Sequence, residues 1–548
     1  MPIPTSERPF DRLAVELAEH YLAGDPGFAS ALGLTEYDEL LPDMSADAVA
    51  ARERADDAWS DRLGSLGDAD LRPEERLDRD LALMVLRGRV VLRDWADWRR
   101  SADLYASPAL SGVFTLLLNR LRPEPEVAQA VAARLRATPE LLAAGRTNLD
   151  PDLAHPAMLR RGIGMVTAGA AYARSVAGEI DDEAGRAEVA GAGEIASRAF
   201  DEFAAHLTGL AEQATGDWAI GEARYDALLR GAEGLGYGAR ELRERGQAEY
   251  DELSVELSRR AHDLRGHDDW RKVLDELNAD HPATPEEMLE LYREATAAAR
   301  AFCVEHQLVS MPDETCQVLP AAPFTRSMIA VAHCIQPPPF ARSAANTGYF
   351  FVPYPPDGAS AEEVDERLAG NNRHIAWPVA VHEAYPGHHW HFAWLAANTR
   401  GGGARPLRSI LASSYFVEGW GLYTEDLLRE QGFYRTPEQE LAQRQARIFR
   451  AARVVVDTSL HLGEMTIDEA TEFISGKVGL SPETARAEVL RYCAWPTQAS
   501  SYLTGALEIA RMRQRWLDEA RGSLCDFHDR AAGSGQLPIS LVERAVFE

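Results

Sequence analysis

Features that would commit this chain to a specialised class are scarce. Its 548 residues hold five cysteines, Cys303, Cys316, Cys334, Cys493 and Cys525, odd in number, widely spaced and without a C-x-x-C pair. Neither a disulfide framework nor a cysteine zinc site is suggested, and five reduced, mostly buried thiols are expected. No run of about 18 apolar residues occurs, and the opening MPIPTSERPFDRLAVEL lacks a basic stretch followed by an apolar core. The expected address is therefore the cytoplasm. Positive charge is in short supply: 57 Lys and Arg stand against 86 Asp and Glu, a formal net charge of −29. Such a surface repels phosphate backbones and anionic lipid, so neither nucleic acid nor a membrane is expected as a partner. No fixed-period repeat marks a solenoid, and no strong linker divides the chain.

What is present reads as a large helical protein. Apolar residues at 46% with 26% charged are ordinary for a globular chain. Apolar residues recur at three- and four-residue intervals over Leu77–Trp98, with similar stretches over Val127–Ala144, Glu194–Ala214, Ala239–Leu264 and Pro285–Gln307. Thr284-Pro285-Glu286-Glu287 carries a helix-start signal: a capping Thr, Pro at the first helical position and Glu three residues after the cap. Between about 308 and 358 proline becomes dense, and β-type runs appear at Thr315–Leu319 and Tyr349–Val352. Tyr349–Val352 reads either as an edge strand able to pair with an extended peptide or as a simple packed strand. Helix resumes from Ala361, with further starts at Thr466 and Ser481. The expected fold is mainly α with a small β-sheet. It forms one unit over residues 1–548 with two lobes, a helical one over 1–307 and a second over 308–548.

Chemistry concentrates in residues 379–395, VAVHEAYPGHHWHFAWL. A catalytic zinc takes imidazole nitrogens at about 2.0–2.1 Å, usually from three protein ligands with one position open. The common source of two histidines is H-E-x-x-H, one helical turn apart, but the second position is Pro386 here. In a regular helix His388 lies about 240° around from His382, and His389 lies roughly 10 Å further along the axis. Pro386 removes an N–H and Gly387 tolerates unusual dihedrals, so a bulge or restart is expected there. A two-residue bulge brings His388 to the place of the missing ligand and leaves His389 as a supporting or pocket group. Glu383, beside His382 but pointing differently, reaches a water without ligating the metal, as a general base requires.

The third ligand is expected on a following helix, and Ser413–Leu428 offers Glu418 among Phe416, Val417 and Trp420. A carboxylate in apolar surroundings needs a partner such as a cation. A Gly-rich turn at Gly401, Gly402 and Gly403 intervenes. Glu425, close to two turns beyond Glu418, is placed to orient a histidine from behind or to form an ordinary salt bridge.

At these residues the chain resembles the bacterial family known as domain of unknown function 885. The hallmark H-E-x-x-P-G-H-H stands as His382-Glu383-Ala384-Tyr385-Pro386-Gly387-His388-His389. The resemblance extends to Ala31–Ser45, Glu418–Leu427 and Arg491–Gly505, so it covers nearly the whole chain. One departure is Trp390-His391, where the family commonly has Leu-Gln. The family is similar to the gluzincin peptidases, which implies a two-lobed helical body, a deep central groove and the ligand set His382, His388 and Glu418. Phe416-Val417-Glu418 matches the F-V-E segment of the thimet-oligopeptidase type.

Acyl-transfer hydrolysis also needs a donor for the developing oxyanion. Tyr502, in the Gln498–Gly505 segment, is the first candidate and Tyr492 the second; each also reads as a core tyrosine. Gln498 joins them as a substrate-contacting candidate. Asp457 and His461, four apart on a helix, form either a carboxylate–histidine pair near the groove or a structural hydrogen bond. The expected function is zinc-dependent hydrolysis of short peptides or small amides. Two rivals remain: a non-haem iron oxygenase on the same two-His-one-carboxylate set, and an inactive peptide-binding protein. Oligomeric state is not legible.

Overall fold

The computed structural model describes residues 8–322, 326, 331–341, 347–399 and 405–548. The chain groups into two compact units. One comprises Met1–Ile220 with Pro338–Ala344 and Arg405–Ile410; the other comprises Gly221–Pro337, Ala345–Ala404 and Leu411–Glu548. The main division falls after Ile220 rather than at the change of texture near residue 307. The Gly401–Gly403 turn lies outside the described residues.

Helix dominates both units. In the first, the apolar periodicity around Leu81 and Leu86 becomes Pro73–Trp95, whose Leu77, Leu81, Met84 and Leu86 are buried. Glu124–Asn148 extends its patterned stretch by a few residues at each end, whereas Glu183–Gln213 begins eleven residues ahead of Glu194 and ends one short of Ala214. In the second unit Ala239–Arg265 and Pro285–Glu305 match the periodic segments closely. The Thr284 hydroxyl accepts from Glu287 N at 3.2 Å, while the Glu287 carboxylate reaches past it to Ala283 N at 2.9 Å. Thr466 and Glu469 form a reciprocal capping box, and Ser481 accepts from Thr484 N.

Among the described residues the sheet has three strands: β1, Thr315–Pro320; β2, His333–Ile335; and β3, Thr347–Val352, in the order β1-β3-β2. β3 pairs parallel with β1, Val318 opposite Phe350, and antiparallel with β2, Cys334 opposite Phe350. Tyr349–Val352 thus lies in the central strand of this sheet, so of its two readings the packed strand holds and the peptide-pairing edge strand does not. Phe350 and Val352 are fully buried, and a strand with backbone partners on both sides has no free ladder to offer a peptide. All five cysteines are free.

Candidate metal centre

The H-E-x-x-P-G-H-H segment runs through a helix that stops and restarts. Ala376–Glu383 ends, and His388–Thr399 begins after four intervening residues. Across the break Gly387 N donates to Val381 O at 3.1 Å and Trp390 N donates to Ala384 O at 3.1 Å, each spanning six residues instead of four. Two extra residues are thus spliced into the helical ladder, so His388, six positions on, stands where an i+4 residue ordinarily would. A side chain at position 387 would collide with the carbonyl oxygens of Val381 and His382, so glycine is required there. Trp420 pins the break from the facing helix by donating its indole N–H to Pro386 O at 2.8 Å.

The facing helix, Ser414–Glu430, supplies the carboxylates. Ligand atoms of His382, His388 and Glu418 all lie within 4.8 Å of one another. His388 Nε2 is 3.5 Å and His382 Nε2 3.8 Å from Glu418 Oε2, and the two imidazoles stand edge to face with centroids 4.7 Å apart. Ligand atoms held about 2.0–2.2 Å from one tetrahedral ion sit roughly 3.5 Å from each other, a spacing the two imidazole-to-carboxylate separations already approach, so two imidazoles and a carboxylate here are a donor set that suits zinc. His382 is fixed from behind by Glu425, whose Oε1 lies 2.8 Å from Nδ1, leaving Nε2 turned toward Glu418. That carboxylate–imidazole contact is the arrangement that orients a metal-ligating histidine.

The electrostatics favour positive charge at this point. Burial pushes the His382 pKa down, but the nearby Glu418 carboxylate, the hydrogen-bonded Glu425 and the charge of Glu383 outweigh it and lift it to about 9. Burial pushes the Glu418 carboxyl up, yet the two imidazoles hold it well below the usual carboxylate range. Glu383 is half-buried, and no described residue makes a hydrogen bond to its carboxylate. Its charge is felt by Cys316, His333 and Cys334, which places it on the sheet side of the cluster.

The remaining candidates divide. The Tyr502 ring stacks against His382 with centroids 6.4 Å apart, and its hydroxyl is raised above its ordinary pKa by burial and by the Glu418 charge. Gln498 approaches that hydroxyl at 3.5 Å and accepts from Arg491. Tyr492 is committed elsewhere: its hydroxyl donates to Glu488 at 2.7 Å and accepts from Arg453 at 3.2 Å. Asp457 and His461 do face each other, at 3.6 Å, but in a buried network where Tyr225 donates to Asp457 and His461 Nε2 lies 3.0 Å from Tyr492 O. His389 stands apart from the cluster. Its Nε2 bonds Glu314, which also accepts from the Tyr385 hydroxyl, and Gly348 leaves room for its ring.

Glu314 went unnoticed in the sequence, where it sits just ahead of β1 in MPDETCQVL with nothing local to set it apart. Its side chain is nonetheless fully buried and anchors both Tyr385 and His389 of the H-E-x-x-P-G-H-H segment.

The model of the family described as "Bacterial protein of unknown function (DUF885)" matches residues 26–546. The chain belongs to this family. No curated protein matches this DUF885 chain. It is similar in fold to "a putative lipoprotein of unknown function from Shewanella oneidensis", with a TM-score of 0.78 and 20% identity over 99% of this chain and 100% of the other. It is likewise similar to "the putative lipoprotein from Colwellia psychrerythraea", with a TM-score of 0.79 and 18% identity over 97% and 98% of the two chains. The cytoplasmic expectation is corrected by these two descriptions, since lipoproteins are held at a membrane. No helix among the described residues is long and apolar enough to cross a membrane. The expectation failed because it rested on the lack of a spanning segment.

Proposed function

We propose that this DUF885 protein is a zinc-dependent hydrolase of short peptides or small amides, built on a gluzincin-like plan. The observation that carries the reading is the convergence of His382, His388 and Glu418 to within 4.8 Å, with Glu383 uncommitted beside them. His382, His388 and Glu418 would hold the ion, and Glu425 would keep His382 in the tautomer that presents Nε2. When bound, zinc lowers the pKa of water and polarises a carbonyl. Glu383 takes the proton from the attacking water and returns it to the departing nitrogen. The Tyr502 hydroxyl, above its ordinary pKa and therefore protonated, donates to the oxygen of the scissile carbonyl. A free general base next to the first ligand favours hydrolysis over iron-dependent oxygenation, which has no use for one. The deep groove of the gluzincin plan belongs to this same proposal, and it predicts that folded proteins are not cleaved.

The test is a mixed peptide library incubated with protein of known metal content, with and without chelator. Chelator-sensitive cleavage restored by zinc is expected. Glu383→Gln should keep the metal and lose roughly 10²–10⁴-fold in kcat. Full activity in that variant removes the general-base role, and stoichiometric iron with O₂-dependent turnover replaces the zinc reading.

A further inference from the structure

The arginines of the helix Pro437–His461 around the candidate site are paired, with one exception. Arg444 meets Asp426 at 3.0 Å, Arg447 meets Glu249 at 2.8 Å and also Asp426, and Arg453 meets Glu488 at 2.8 Å. Arg450 has no carboxylate partner among the described residues. Its one hydrogen bond runs from Nη1 to Ala446 O of its own helix, and its Nε is buried and unpartnered. The guanidinium carbon lies 5.9 Å from the centroid of the Tyr502 ring, which also meets His382 at 6.4 Å and the Glu488-paired guanidinium of Arg453 at 5.0 Å. An unneutralised guanidinium is therefore held beside the residue proposed to polarise the scissile carbonyl, in a chain whose net charge is −29.

Burying part of a guanidinium without an acid is unfavourable, and most half-buried arginines here avoid it. The planar fork matches a carboxylate in geometry as well as charge. We infer that Arg450 binds a carboxylate of the substrate, one to three residues beyond the scissile bond on the leaving-group side, and so selects short peptides with a free C-terminus. The spacing allows this: the steps of 5.9 Å from guanidinium to Tyr502 ring and 6.4 Å from that ring to His382 bound the separation from above, within the reach of one to three extended residues at roughly 3.3–3.6 Å each plus the scissile group. An acidic side chain of the substrate offers the same chemistry, so the test separates the two sources. The inference rests on the hydrolase reading for its place in turnover but not for binding.

Two measurements keep those dependencies apart. In the first, calorimetry on the zinc-loaded protein compares a dipeptide, its C-terminal amide, and an amidated peptide with an Asp side chain. The free acid should bind roughly tenfold to a hundredfold more tightly than either amidated form, and Arg450→Met should abolish the difference while Arg450→Lys keeps part of it. In the second, any peptide cleaved is assayed as acid and amide; in Arg450→Met the loss should fall mainly on KM for the acid. Equal binding of acid and amide by the unaltered protein overturns the inference and leaves hydrolysis standing. Recognition of the Asp-bearing amide in place of the free C-terminus overturns the C-terminal source. Acid-selective binding without cleavage of any peptide upholds the inference and overturns the hydrolase.

Discussion

Gly421 lies directly beneath the ring of His382: a Cβ at that position would sit 2.6 Å from the ring carbon Cε1. The imidazole therefore rests on bare backbone of the helix that carries Glu418 and Glu425, and this approach lets one histidine touch both carboxylates. Gly421→Ala should push the ring off Glu425 without breaking the helix, which alanine favours. Zinc affinity, measured by competition with a chromophoric chelator, is expected to fall about tenfold to a hundredfold with the helical circular dichroism unchanged. An affinity equal to that of the unaltered protein would show that the ring position does not matter.

Tyr502 and Tyr492, the first and second donor candidates from the sequence, stand in different surroundings. Tyr502→Phe should lower kcat roughly 10²–10³-fold with little change in bound zinc, as for loss of an oxyanion donor. Tyr492→Phe removes a bond to Glu488 and Arg453 and should show itself in thermal unfolding before it shows in kcat. Reversal of that pattern would transfer the role to Tyr492.

His391 is fully buried, and neither ring nitrogen has a partner among the described residues. Burial, with the neighbouring His388 charge, pushes its pKa down to about 3, so it is a neutral polar ring among Phe416 and Trp420. His391→Leu should stabilise the protein by about 1–3 kcal/mol, read from denaturant unfolding at pH 7.5. A loss of stability would mean that an unseen water satisfies the ring.

His528 links pH to stability. Its Nδ1 lies 2.7 Å from Leu308 O and its Nε2 2.6 Å from the Tyr423 hydroxyl. Burial pushes its pKa from 6.5 to about 4, against the raising effect of the Leu308 carbonyl. The unfolded chain protonates this group first. Its contribution is therefore complete above pH 6.5 and fades as pH falls toward 4, by about 1.4 kcal/mol per unit. The unfolding midpoint of His528→Gln should be lower at pH 7 yet flatter between pH 6.5 and 4. An unchanged slope would assign the acid sensitivity to other groups.

Legibility varied with how local each signal was. The helices over Leu77–Trp98 and Pro285–Gln307 follow from side chains spaced to line one face, and the caps at Thr466 and Ser481 act within three residues. The insertion at Pro386-Gly387 was legible for the same reason, since a missing N–H and a missing Cβ sit in consecutive positions. The centrality of β3 was not, because strand order depends on partners far along the chain. Nor was Glu314, whose only distinction is the two residues it meets about seventy positions later.

The sequence by itself determined which groups are available: two imidazoles six residues apart across a break, a base beside the first, and two carboxylates on one later helix. Only the tertiary structure decided which of them meet, placing His388 rather than His389 with Glu418, Tyr502 rather than Tyr492 against His382, and leaving Arg450, among the arginines of its helix, without an acid among the described residues. The physical reason is that covalent spacing fixes direction over one or two turns, whereas convergence depends on how closely separate helices pack. That approach is set at the glycines: Gly421 under His382, and Gly419 against Gly505 where the Ser414–Glu430 and Ser501–Asp518 helices touch.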